Sequence, residues 1–183
     1  MDSDYERKII ELKSKIQSFP DFPKKGILFW DIFSAITDGG TCKLLQSLLV
    51  QTVRAQYPDV EAVVGVEARG FLFSFSLAAE LGIGCLPVRK KGKLPGEIVS
   101  YKYDLEYGSD IVELQKDSVR PGLKCLIVDD LLATGGSITA AANLLQSCGA
   151  DVIGCLVVIE LVGLNGRAKI PKDLSVNSLI KYN

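Results

Sequence analysis

The sequence contains no histidine, and that absence removes Ser-His-Asp and Cys-His catalysis together with most zinc chemistry. Any reaction must be run by carboxylates, lysine, tyrosine and backbone amides. Net charge is nearly absent as well. A formal −1 at pH 7 gives no global field to hold nucleic acid or an anionic membrane surface, so an anionic ligand needs a local site. No run approaches the roughly 18 apolar residues of a membrane span; the longest, Val152 to Ile159, is stopped by Glu160 and reads as a buried strand. The first residues, Met1 to Glu6, lack the basic stretch and apolar run of a secretory signal. Five cysteines, at positions 42, 85, 125, 148 and 155, form no Cys-x-x-Cys pair. That favours free thiols in a reducing compartment, and a cytoplasmic protein is expected. No repeat, low-complexity tract or Ser/Gly-rich linker divides the 183 residues, so a single domain, 1–183, is expected.

What the chain does contain is an alternation of apolar runs and helical patterns. Tyr5 to Ser18 has the spacing of an amphipathic helix, and Phe19 to Gly26, with two prolines and a glycine, predicts an irregular loop. A second helix is predicted over Thr41 to Gln56, then a strand over Val60 to Val66 and a buried helix over Phe71 to Leu81. Gly84 to Val88 reads as a strand, Ile98 to Leu105 as an extended hairpin arm, and Leu123 to Val128 as a continuous apolar strand. A helix over Ser137 to Cys148 and strands over Val152 to Ile159 and Ser178 to Tyr182 complete the pattern. Strands alternating with helices predict an α/β fold with a mainly parallel sheet and a ligand site at the carboxyl ends of the strands.

The segment Cys125-Leu126-Ile127-Val128-Asp129-Asp130-Leu131-Leu132-Ala133-Thr134-Gly135-Gly136-Ser137 carries the most specific chemistry. A buried strand delivers Asp129 and Asp130 to its exposed end, and the amides of Ala133, Thr134, Gly135, Gly136 and Ser137 open a helix whose N-terminus attracts phosphate. The glycines admit close approach, and the Thr134 and Ser137 hydroxyls add donors. Carboxylates beside that cradle would repel a triphosphate but accept hydrogen bonds from ribose hydroxyls, so the ligand is a sugar with a 5′-phosphate. There is no Gly-Lys-Ser/Thr of a Walker A loop and no Gly-x-Gly-x-x-Gly turn.

This string resembles the phosphoribosyl-pyrophosphate signature of the type I phosphoribosyltransferases. Ser18-Phe19-Pro20-Asp21-Phe22-Pro23, Ala68-Arg69-Gly70-Phe71-Leu72-Phe73, Arg89 to Gly96, Leu105-Glu106-Tyr107-Gly108 and Leu161 to Arg167 narrow the resemblance to the adenine phosphoribosyltransferases, over nearly the whole chain. The resemblance implies a twisted, mainly parallel sheet flanked by helices, with an N-terminal base-binding hood in residues 1–35 and a mobile lid and hairpin in 89–108. It implies transfer of a 5-phosphoribosyl group from phosphoribosyl pyrophosphate to adenine, giving AMP and pyrophosphate, in a homodimer. Glu67, Ala68 and Arg69 would wrap the pyrophosphate, helped by Arg89 and Lys93 of the lid. Glu106 would be the general acid at adenine N7, with Tyr107 beside it. The Leu28 backbone would meet the adenine edge. Trp30 stands where the family usually has arginine; it either stacks on the base or turns inward as a core anchor, and the stacking reading is preferred. Mg²⁺ would be held by pyrophosphate and ribose oxygens, not by a protein cage. Two rivals remain: transfer to another nucleobase, and a non-catalytic phosphoribosyl-ligand sensor. The sensor would need a DNA-binding module, and neither a helix-turn-helix nor a basic arm is visible.

Overall fold

Short apolar runs between turn residues become the strands of one seven-stranded sheet. The computed structural model describes residues 3–104 and 109–183, in two compact units, Met1–Thr52 and Val53–Asn183.

In the N-terminal unit, α1 (Ser3–Lys15) buries Leu12 and carries Asp4 and Glu6 in its first turn and Lys13 and Lys15 in its last, matching the helix dipole. Tyr5 Oη lies 2.8 Å from Thr52 Oγ1. Strands β1 (Gln17–Pro20) and β2 (Leu28–Asp31) pair antiparallel, Ser18 opposite Trp30. The loop predicted over 19–26 is thus the tip of a hairpin, since Pro20 closes a strand where its missing N–H costs nothing. Asp31 caps α2 (Ile32–Ile36), accepting from the Phe33 and Ser34 amides. Helix α3 (Gly39–Gln56) follows.

In the larger unit the strands are β3 (Ala62–Val66), β4 (Gly84–Lys90), β5 (Ile98–Asp104), β6 (Ser109–Gln115), β7 (Lys124–Leu132), β8 (Asp151–Leu161) and β9 (Val176–Tyr182). Their order is β5-β6-β4-β3-β7-β8-β9. Strands β4, β3, β7, β8 and β9 run parallel, and β6 and β5 add antiparallel. Helix α4 (Gly70–Leu81) packs on β3, β4 and β7, and α5 (Gly136–Ser147) packs on β5 to β8. All five residues of β3 are buried, as expected of a parallel strand covered on both faces. Val64, Val66, Ile127 and Val157 share one cluster with Ile138 and Leu145 of α5. The five thiols are free, and burial pushes Cys125 up to about 12 and Cys155 higher still, which leaves both unreactive.

Candidate active site

Strand β7 does not end at its acidic pair. Leu131 pairs with Ile159 and Leu132 with Glu160, so Asp129 and Asp130 sit inside the sheet and are buried, not on the exposed strand end read from the sequence. The Asp130 N–H donates to Asp129 Oδ1 at 2.9 Å, and Arg69 Nε meets Asp130 Oδ2 at 3.0 Å. Burial pushes the Asp129 carboxyl well above the ordinary carboxylate range, and the Asp130 charge adds to it. Burial also raises Asp130, opposed by the Arg69 guanidinium. Two adjacent carboxyls sharing one cation form a site that gains when hydroxyl donors or positive charge arrive.

The turn from β3 into α4 closes one side. Gly70 opens α4, and a Cβ there would lie 2.9 Å from the Val128 carbonyl and 3.0 Å from Asp129 Oδ1. Only glycine lets the helix start approach the acidic pair this closely. The sequence reading assigned Gly70 no role, although an Arg-Gly step between a buried strand and a buried helix was the available signal.

On the other side, residues 133–137 turn from β7 into α5. Gly135 is the helix N-cap at φ +81°, in the left-handed region that favours glycine. Its backbone lies so close to the Gly166 carbonyl that a Cβ would collide with it. Glu67, Ala68, Arg69, Asp129, Asp130 and residues 133–137 line one cleft of about 210 Å³, with Val66, Leu131, Leu132 and Ile138 filling the wall. Two sequence segments some sixty residues apart therefore meet at the carboxyl ends of neighbouring parallel strands, where open α/β sheets hold ligands. The wall residues other than the named site groups had no chemical signature in the sequence.

The basic segment is distributed differently. Arg89 lies on β4, not in the following loop, and its Nε and Nη2 lie 3.3 and 3.4 Å from the Glu67 carboxylate. Arg89 Nη1 donates to the Lys93 carbonyl at 3.1 Å, and the Lys90 amide donates to Glu67 Oε2 at 2.8 Å. Burial works against ionising Glu67, but the Lys90 amide and Arg89 outweigh it and hold the carboxyl below its ordinary range. The Lys93 residue is exposed, and Lys90 Nζ pairs with Asp110 at 3.2 Å. In the N-terminal unit Leu28 is exposed and Trp30 half-buried. They stand two apart on β2, hence on the same hairpin face. Glu106 and Tyr107 lie outside the described residues.

Residues 35–180 match the phosphoribosyl transferase domain family. The adenine phosphoribosyltransferase of Drosophila pseudoobscura pseudoobscura is 57% identical over 177 residues, 97% of each chain. That of Clostridium perfringens is 47% identical over 174 residues, 95% of this chain and 99% of its own. The crystal structure of Saccharomyces cerevisiae adenine phosphoribosyltransferase, complexed with D-2,5-dideoxy-2,5-imino-altritol 1,6-bisphosphate and adenine, matches with a TM-score of 0.92. It is 39% identical, and the match covers 96% of this chain and 99% of that one. With its cleft built from the β3–α4 and β7–α5 turns and its likeness running nearly end to end, the chain belongs to the adenine phosphoribosyltransferases, enzymes of the type I phosphoribosyltransferase fold.

Proposed function

We propose that the cleft transfers the 5-phosphoribosyl group of phosphoribosyl pyrophosphate to N9 of adenine, a purine-salvage step that forms the N9–C1′ bond, breaks the bond from C1′ to pyrophosphate, loses the N9 proton to solvent and yields AMP and free pyrophosphate. The observation that carries this reading is the presence, in one cleft, of a buried acidic pair beside Arg69 and a helix N-terminus opened by Gly135 and Gly136. The amides of Ala133 to Ser137 hold the 5′-phosphate. Asp129 and Asp130 accept the ribose hydroxyls and, in a buried setting where water screens little, stabilise the positive charge that develops at C1′. Glu67, Ala68 and Arg69 hold the leaving pyrophosphate, with Arg89 and Lys93 joining them. Glu106 is assigned as the general acid toward adenine N7, and Tyr107, the Leu28 backbone and the Trp30 indole are assigned to the base.

Among the described residues no group of three or more Asp, Glu, His or Cys side chains could hold a metal ion. Mg²⁺ would be held by pyrophosphate and ribose oxygens and not by protein side chains, and when bound it would supply charge neutralisation on the leaving group. The working form is a homodimer, a reading supported by the exposed Leu72 and Phe75 of α4, 53% and 71% accessible. Its cytoplasmic setting is supported by the five free thiols; no helix among the described residues is long and apolar enough to cross a membrane.

The test is incubation with Mg²⁺, phosphoribosyl pyrophosphate and each nucleobase in turn while pyrophosphate release is followed. Release with adenine, and little with hypoxanthine, guanine or uracil, is expected. A preference for a 6-oxopurine or a pyrimidine would overturn the assigned base, and binding without turnover would favour the sensor.

A further inference from the structure

Beyond the residues that line the cleft, the turn at Gly166 packs against the backbone of Ala133 and Gly135. Gly135 abuts the Gly166 carbonyl, and a Cβ at Gly166 would in turn collide with the Ala133 carbonyl. Two backbones in such contact cannot move independently. The turn at Gly166 is itself held from one side. The Arg167 guanidinium grips the buried Glu160 carboxylate with two bonds, Nε to Oε1 at 2.5 Å and Nη2 to Oε2 at 2.8 Å. Its Nη1 donates to the Val176 carbonyl at 2.9 Å, and the Ser178 hydroxyl donates to Glu160 Oε2 at 2.6 Å. Arg167 holds the Glu160 carboxyl below its ordinary range against the effect of burial, with Ser178 assisting. A planar fork on a carboxylate fixes direction as well as distance, which a lysine in its place would not.

We propose that Arg167 is a positioning residue for the 5′-phosphate cradle. Anchored to β8 through Glu160 and to β9 through Val176, it sets the Gly166 turn, and the Gly166 backbone sets the Ala133–Gly135 loop. The inference rests on the reading that this loop holds the 5′-phosphate. Its signature is a loss confined to phosphate-bearing ligands, because the turn touches the loop and not the acidic pair.

The experiment compares AMP with adenosine by titration calorimetry on the full chain. Wild type is expected to bind AMP much more tightly than adenosine. Arg167→Lys and Arg167→Ala are expected to weaken AMP by about ten-fold, the worth of roughly one hydrogen bond to the phosphate, and to leave adenosine unchanged. Arg167→Lys keeps the charge and serves if the alanine variant does not fold. Tyr57→Phe is the control, since Tyr57 Oη donates to the Cys155 carbonyl of β8 at 3.1 Å and accepts from Asn177 Nδ2 at 2.8 Å, bonds that do not run through Arg167, Glu160 or Gly166. It should lower stability and leave the AMP-to-adenosine ratio intact. An unchanged ratio in a folded Arg167 variant, or an equal fall in Tyr57→Phe, would overturn the positioning role. Equal binding of AMP and adenosine by wild type would instead remove the phosphate site, and the inference with it.

Discussion

Burial leaves Asp129 with a carboxyl that resists ionising, although the proposed chemistry needs it negative beside a developing cation. Because its folded-state pKa is raised, its destabilising effect is absent below the unfolded value near 3.8 and grows as pH rises from there toward the folded value. Asp129→Asn should therefore have a higher Tm than wild type at pH 7, with the advantage gone near pH 3. Thermal melts at the two pH values check this; a lower Tm at pH 7 would show the carboxylate to be structural. Trp30 offers a second test. It is half-buried on the exposed Leu28 face of β2, which suits a stacking surface better than a core anchor. AMP should change the emission of this single tryptophan saturably, and Trp30→Ala should weaken adenine by roughly 1–3 kcal/mol, the worth of a base–aromatic stack. Emission that stays constant while calorimetry records AMP binding would return the residue to the core. At this scale the acidic pair, Gly135 and Gly136 were legible in the sequence because their spacing is local. The bond from Arg69 to Asp130 and the collision that makes Gly166 glycine were not, since each joins residues far apart in the chain.

Elements whose whole character is apolar were the easiest to read. β3, β7 and β8 are buried on both faces, so continuous Val, Ile and Leu runs announced them. Strand β6 was missed because only Val112, Glu113 and Leu114 are buried on it, and β4 was ended early because Arg89 and Lys90 read as loop. The β1–β2 hairpin hid behind its prolines. Glu113 shows what such misses conceal. It accepts from the Gly92 amide at 2.7 Å and the Ser100 hydroxyl at 3.2 Å, tying the loop after β4 to β5 and β6. Glu113→Ala removes a bond to a charged acceptor, about 1.5–3 kcal/mol, and should open that loop. Limited trypsin digestion should then cut after Lys91 or Lys93 about ten-fold faster or more. An unchanged cleavage rate would mean that the loop is held elsewhere, for example by Gln115 on the Pro95 carbonyl.

For the whole molecule, the exposed apolar face of α4 and the proposed homodimer make one prediction. Activity per chain should fall as the protein is diluted below its dissociation constant, with light scattering reporting the mass at each concentration; full activity from a verified monomer would end the dimer reading. The family and the parallel sheet were visible from the sequence because a strand, an acidic pair and a glycine-opened helix occur consecutively. No linker in the sequence marks the boundary between the two units. On the proposed chemistry, the acidic pair of β7 drives ribosyl transfer to adenine. Its most direct measurement is AMP formation from adenine and phosphoribosyl pyrophosphate by wild type and by the Asp129→Asn, Asp130→Asn double variant. The amides keep the shape but supply no negative charge to the transition state, so a folded double variant should lose turnover by a factor on the order of 10²–10³. A folded double variant that makes AMP at near the wild-type rate would show that the acidic pair does not carry the reaction.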